Sequence, residues 1–330
     1  MRRRGLSLGL PALALGAGSA RGATPLADGL TWHEAAERTW GHTAWLRVAH
    51  ADDEVALRAL AAGRAALRRV ERSMSLFMPD SALVELNRHG VLDSPPAELV
   101  AMLAAALGMA RASGGAFDPT VQPLWRMRYE ASLAGREPAA RELEAARSRI
   151  DWRDVELDAR RIRLARKGMA LTLNGIAQGF AADLVRAAFV RHGVLRAWID
   201  TGEWWPVGEG DGRGPWVLGV ADPGAPATLL ARLRADGRAI ACSTERELAF
   251  TPDGRQHHIL DPRTGGSPPA LAAVVVLAPS ATWADALSKP LFMSGAEQAL
   301  ALARRFGADA LAVEKSGRWR ASPGVPLIRG

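Results

Sequence analysis

Apolar residues recur at helical spacing over 52–74, where Val55, Leu57, Leu60, Leu67 and Val70 fall on or near one face. This pattern predicts a long amphipathic helix. Ahead of it, 43–50 alternates apolar and polar positions as a half-buried strand does. Behind it, Asp80 or Ser81 is placed to cap a short helix that runs through Leu86 and ends at Gly90. A further helical pattern spans 96–113 and is stopped by Gly114-Gly115, and a linker around 134–138 leads to a short helix over 139–148. Strands are expected at 154–158, 161–166, 168–173 and 196–200, with a helix over 175–192 between the last two. From 216 to 278 the chain reads as a run of strands with polar turns, followed by helices over 283–293 and 296–306 and closing strands near 309–314. Strands and helices come in blocks rather than in strict alternation, which favours an α+β architecture over a doubly wound sheet.

Composition adds little to this picture, and charge excludes one class. The 330 residues are 48% hydrophobic and 23% charged, ordinary for a globular protein. The net charge of +7 is inflated by Arg2, Arg3, Arg4 and Arg21. Without them 38 basic residues face 35 acidic ones, a balance that gives no footing for nucleic-acid binding. Those arginines belong to a segment, 1–23, with a basic start, an apolar run over 6–15 and small residues after it, the pattern of a cleaved export signal. Cleavage is expected after Ala20 or Ala23, and Arg3-Arg4 resembles a twin-arginine signal, so export by either the Sec or the Tat route is open. The apolar run is far short of the ~20 residues that span a bilayer, so a periplasmic protein without stable membrane insertion is expected. Cys242 is the single cysteine, which excludes an intramolecular disulfide and a cysteine metal cluster.

Five segments carry candidate chemistry. GEGDGRG (208–214) lacks both the lysine-serine pair and the following helix of a phosphate loop, and reads as a hairpin turn. GGAFDPTVQPLW (114–125) allows close backbone approach and offers Asp118 and Thr120, or is a helix cap and turn. LTLNGIAQGFAADLV (171–185) passes from an apolar strand through Asn174-Gly175 into a helix, either a phosphate-facing turn or an ordinary connection. HHILDPRTG (257–265) offers histidines suited to accept a proton, or a strand end and turn. In WADALSKPLFMSG (283–295), Asp285 and the residue four positions on share a helical face. That residue is Lys289, whose ammonium cannot ligate a metal. A metal site, a former one and a plain ion pair all remain open.

The order of these segments resembles the ApbE family, the FAD:protein FMN transferases. The matches are TWGHTAWLRVAH (39–50), MSLFMPDSALVELNRHG (74–90), GGAFDPTVQPLW, LTLNGIAQGFAAD (171–183), HHILDPRTG and ADALSKPLF (284–292), collinear over nearly all of 24–330. The resemblance implies a single ApbE-like domain of α+β fold, with mixed or antiparallel sheets, packed helices and an FAD cleft between two lobes. It also implies FAD as substrate, Mg²⁺ as cofactor, and transfer of FMN to a threonine or serine of a partner with release of AMP. By position His258 is the implied base and Asp285 the metal-binding aspartate. The carbonyl of Gly175 and Ser288 complete the implied metal set. Trp40, Phe77, Ala116, Phe117, Asp118, Thr172, Gln178 and Ile259 stand at flavin-binding positions. Thr172 and Gln178 replace a family aspartate and lysine, and LTLNGIAQG is similar to exported members linked to nitrous oxide reductase, the NosX type. The implied acceptor is a periplasmic protein with an FMN-binding domain, such as a NosR-like protein. Lys289 stands where the family has a metal-binding threonine. It either supplies charge to the pyrophosphate, pairs with Asp285, or turns outward. The alternative function is an FAD carrier or assembly factor with little transferase activity, or an FAD pyrophosphatase.

Overall fold

The computed structural model describes residues 24–210 and 214–328. The export signal expected over 1–23 lies outside the described residues. The chain begins with β1 (Thr24–Pro25), β2 (Thr31–Thr39) and β3 (His42–His50), then α1 (Asp53–Met74), α2 (Ala82–His89), β4 (Val91–Asp93) and α3 (Ala97–Ala112). Next come α4 (Gln122–Leu133), α5 (Ala140–Arg147), β5 (Val155–Leu157), β6 (Arg161–Leu164) and α6 (Ala177–Arg191). Strands β7 (Arg196–Asp200), β8 (Trp204–Val207), β9 (Val217–Ala221), β10 (Leu229–Arg234), β11 (Ala239–Thr244) and β12 (Leu271–Ala278) follow. The last elements are α7 (Ala281–Ser294), α8 (Ala296–Arg305), β13 (Asp309–Glu314) and β14 (Trp319–Ala321).

Nine strands form one sheet in the order β1-β2-β3-β7-β8-β11-β12-β13-β14. Every pairing described in it is antiparallel, which resolves the expected choice between mixed and antiparallel. Strand β12 shows how the sheet is held. All eight of its residues are buried, and alternate side chains enter two different cores. Val274 and Val276 join α1, α6, α7 and α8 on one face, whereas Ala273, Val275 and Leu277 pack under the β9–β10 hairpin on the other. A strand covered on both faces loses polar alternation and reads as a continuous apolar run. The hairpin side is filled by tryptophans, with Trp216 5.6 Å from Trp32 and 5.0 Å from Trp198. Residues 211–213 of the glycine-rich turn lie outside the described residues. At its flanks, Gly210 N–H bonds the Gly214 carbonyl and Glu209 bridges Pro215, as a hairpin turn requires.

Of the two expected cap candidates, Ser81 is the one that caps α2. Other sequence expectations are corrected. Leu57, expected near the buried face of α1, is 58% exposed. Segment 168–173 begins in a turn at Gly168 and joins no sheet. The Asn87 side chain takes both backbone groups of Leu171, at 2.6 and 2.8 Å, and Thr172 N–H goes to the Pro119 carbonyl. Its ladder partners are thus replaced by a side chain and a loop, which also ties the 114–125 and 171–185 motifs together. Residues 245–270 form turns with one bridge, Ala249 to His257, rather than strands.

Candidate active site

Helix α7 is the foundation of the site. Ser280 caps it, and Asp183 reaches across from α6 to the same end. The Asp183 carboxylate accepts the N–H of Ala281 at 2.8 Å, the N–H of Thr282 at 3.1 Å and the Ser280 hydroxyl at 2.9 Å. A carboxylate there satisfies orphan donors and meets the positive end of the helix. Replacing Asp183 with alanine is expected to cost about 1–3 kcal/mol of stability. Urea denaturation reads this out, and a loss below about 0.5 kcal/mol would contradict the capping role.

One turn into α7, Asp285 is fully buried. Its Oδ2 accepts Gly179 N–H at 3.0 Å, and its Oδ1 is bonded by the Lys289 ammonium. The Asp285 carbonyl also takes Lys289 Nζ at 3.1 Å and the Ser288 hydroxyl at 2.7 Å. Helices α6 and α7 approach this closely because residue 179 is glycine: a Cβ there would overlap the Ala281 carbonyl and press on the Asp285 side chain. The Lys289 side chain is only 20% exposed, so it does not turn outward. Its stem runs beside Gly175, with Cε 3.1 Å from where a Cβ on that glycine would stand, and Phe117 lies 3.4 Å from the same point. Ser288 Oγ is 2.7 Å from Ser243 Oγ on β11.

Two further acids, not foreseen from the sequence, face this pair. Glu203 is 3% exposed and accepts Cys242 N–H at 3.1 Å; Glu247 Oε2 lies 3.4 Å from His258 Nε2. Burial, reinforced by the Asp285 charge, pushes the Glu203 carboxyl well above its usual range. Glu247 is raised as well, by the protein packed around its carboxyl although the side chain as a whole is 41% exposed, with the Lys289 ammonium opposing the shift. For Lys289 the balance is reversed. Burial disfavours its charge, but the carboxylates of Asp285, Glu203 and Glu247 outweigh that and hold its pKa above the ordinary lysine value. Burial keeps His258 neutral, with its pKa pushed down to about 3, and His257 likewise, at about 4. His257 is fully buried with its ring edge-on to Phe292, so of the two histidines only His258 reaches the acids.

The other predicted positions fall into three groups. Gln178 packs against Gly202, and its carbonyl accepts the Thr201 hydroxyl at 2.9 Å, so it sits with Gly175 and Glu203. Ala116, Phe117 and Asp118 form the turn beside Thr172. Asp118 is committed within that turn, accepting Thr120 N–H at 2.8 Å, the Thr120 hydroxyl at 2.6 Å and Trp152 N–H at 3.2 Å. Burial raises its pKa against those hydrogen bonds. A cleft of about 180 Å³ opens between this turn and Arg263 of the HHILDPRTG segment, with Trp152 and Arg153 on its wall. Ile259 is buried within that segment, which Arg128 of α4 anchors through the Gly265 carbonyl at 2.8 Å. Trp40 is buried at the β2–β3 turn beside His42, whose ring donates to the Thr201 carbonyl at 3.0 Å. Phe77, by contrast, is 63% exposed on the loop after α1.

Comparison with known proteins gives this arrangement a context. The ApbE family model matches residues 40–312. The chain belongs to the ApbE family. It is 34% identical over 291 residues to the FAD:protein FMN transferase of Treponema pallidum, an alignment covering 78% of each chain. It is 30% identical to the Klebsiella pneumoniae enzyme of the same name, over 76% of this chain and 80% of the relative. Among solved structures, the ApbE protein of Thermotoga maritima superposes with a TM-score of 0.79 at 27% identity, covering 88% of this chain and 97% of its own. The flavinyl transferase ApbE of Pseudomonas stutzeri gives 0.77 at 27% identity, covering 89% and 95%. The ApbE fold expected from the sequence is therefore present.

The Mg²⁺ that the family resemblance implies does not fit the residues found. Mg²⁺ takes oxygen ligands at about 2.0–2.1 Å in near-octahedral array. Here each Asp285 carboxylate oxygen already accepts an N–H, one of them from the Lys289 ammonium that a divalent cation would face, Ser288 is bonded to Ser243 and to the Asp285 carbonyl, and the lysine stem lies against Gly175. Among the described residues no group of three or more His, Cys, Asp or Glu side chains is arranged to hold a metal ion. No helix among them is long and apolar enough to cross a membrane.

Proposed function

We propose that this protein is an FAD:protein FMN transferase that attaches FMN to a threonine or serine of an exported, periplasmic flavoprotein. The observation that carries this reading is the convergence of His258, Lys289–Asp285 and the Gly175–Gln178 turn, brought from three distant segments to one buried polar site. In the reaction, the acceptor hydroxyl oxygen attacks the phosphorus on the flavin side of the FAD pyrophosphate. One P–O bond to the acceptor forms, the bridging P–O bond breaks, and AMP leaves. Neutral His258 takes the hydroxyl proton, and the Glu247 carboxylate stabilises the imidazolium that results. The start of α6 and the Lys289 ammonium face the pyrophosphate, where fixed donors stabilise developing charge. The turn around Ala116–Asp118 and Trp40 border the flavin, with Thr172 and Gln178 offering neutral hydrogen bonds.

The test is to incubate the protein with FAD and a flavin-acceptor domain, then measure the intact mass of the acceptor. The expected result is an acceptor heavier by one FMN less one water, with AMP released in equal amount. An unmodified acceptor in the presence of bound FAD would overturn the reading. Release of free FMN and AMP without acceptor labelling would instead make the protein a pyrophosphatase.

A further inference from the structure

The position that the family resemblance gives to a divalent cation is filled from within this chain. We infer that the Lys289 ammonium is the resident cation of the pyrophosphate site, so that FAD binding and FMN transfer here require no divalent metal. The inference deepens the transferase reading and takes the identity of its substrate from it.

Three features of the geometry support it. First, a metal at Asp285 would have to share oxygens that already serve other donors, Oδ1 with an ammonium. The Oδ1 of Asp285 holds Lys289, its Oδ2 holds Gly179 N–H, and its carbonyl takes both the Ser288 hydroxyl and Lys289 Nζ. Second, the ammonium is supplied from one turn along the same helix, and its stem lies over Gly175, with Phe117 bordering the same space. A hydrated Mg²⁺ would have to dehydrate, which it does reluctantly, and displace a tethered, buried competitor. Third, an ammonium has three donors, of which Asp285 takes two, through Oδ1 and its carbonyl. The third is available to an anionic oxygen.

Stability alone does not account for the pair. A buried ion pair recovers its desolvation cost poorly, and a well-packed apolar pair would serve the fold as well or better. A lysine kept against a fully buried aspartate, beside Gly175 at the start of the phosphate-facing turn, is instead placed to meet a charged ligand. Lys289 thus substitutes a fixed single charge with directional N–H donors for a diffusible double charge.

FAD binding tests this without any acceptor, and so separately from the transferase reading. FAD is titrated into the protein, followed by flavin fluorescence, once in a metal chelator and once in excess MgCl₂. The expected dissociation constants agree within about twofold, whereas Lys289→Thr binds FAD at least about tenfold more tightly with MgCl₂ than without. Calorimetric titration of MgCl₂ into the FAD-loaded, unmodified protein is expected to show no binding, and this arm does not depend on how the variant folds. A tenfold or greater tightening of FAD binding by MgCl₂ in the unmodified protein, or saturable Mg²⁺ uptake by it, would overturn the inference. A Lys289→Thr variant as indifferent to MgCl₂ as its parent would do the same. Failure of acceptor labelling with metal-independent FAD binding would count against the transferase reading alone.

Discussion

Replacing His258 with alanine is expected to slow FMN transfer by about 10²–10⁴-fold, the usual contribution of a positioned general base. FAD binding should change little, because the imidazole acts on the acceptor hydroxyl rather than on the pyrophosphate. Single-turnover labelling of an acceptor domain gives the rate, and a flavin fluorescence titration gives the binding. A rate within about threefold of the parent would remove His258 from the proton transfer. The pH profile offers a second view of the same group. Burial holds the folded imidazole pKa down at about 3, so it is already neutral at pH 5 and above. The rate should therefore show no bend near pH 6.5, where an ordinary histidine titrates. The unfolded chain, by contrast, takes up protons at His257 and His258 as pH falls through 6.5, and the folded chain refuses them until about 4 and about 3. The unfolded state then binds more protons, so stability declines from pH 6.5 downward.

Lys289→Met is expected to destabilise the protein by about 3–5 kcal/mol in metal-free buffer, the cost of leaving a buried charge without its partner. Asp285 would keep only the Gly179 N–H on its carboxylate and would stand near Glu203 and Glu247 with no cation among them. Chemical denaturation followed by circular dichroism measures the loss. The double variant Asp285→Leu/Lys289→Met should recover most of it, since an apolar pair of similar volume removes the uncompensated charge along with the bond. If the single variant loses less than about 1 kcal/mol, the ammonium and carboxylate are not the coupled, desolvated pair described here.

Much of the fold is legible in the sequence where local pattern and tertiary role coincide. The expected strands at 196–200 and 309–314 match β7 and β13, and Asp52 caps α1 where the apolar periodicity begins. Strand β2 escapes notice because Glu34 and Glu37 interrupt its alternation, paired to Arg47 and to Arg64 and Arg68. Helix α4 is hidden inside a segment that reads as a turn. Pro123 suggests a break, yet it sits in the first helical turn, where proline is tolerated. At the site, the aspartate–lysine spacing on one helix and the histidine before Pro262 are visible in the chain. Glu203 and Glu247 are not, because nothing near either one in the chain announces its neighbours at the site; the only hint is an acid followed by two tryptophans in TGEWW. Asp183 likewise looks like a solvated helical acid until α7 is docked beneath it.

The same aspartate has a mechanical consequence. Asp183 grips the first residues of α7, while one turn earlier on α6 the backbone of Gly179 grips Asp285. Two attachment points on each helix remove both sliding and rotation of one against the other, so the Gly175–Gln178 turn and the lysine are parts of a single rigid bracket. A cation mounted on that bracket has its coordinates set before any ligand arrives. It cannot be diluted, chelated or exchanged for a competing ion, and under the metal-free reading proposed above the supply of metal in the surrounding compartment ceases to be a variable of the reaction.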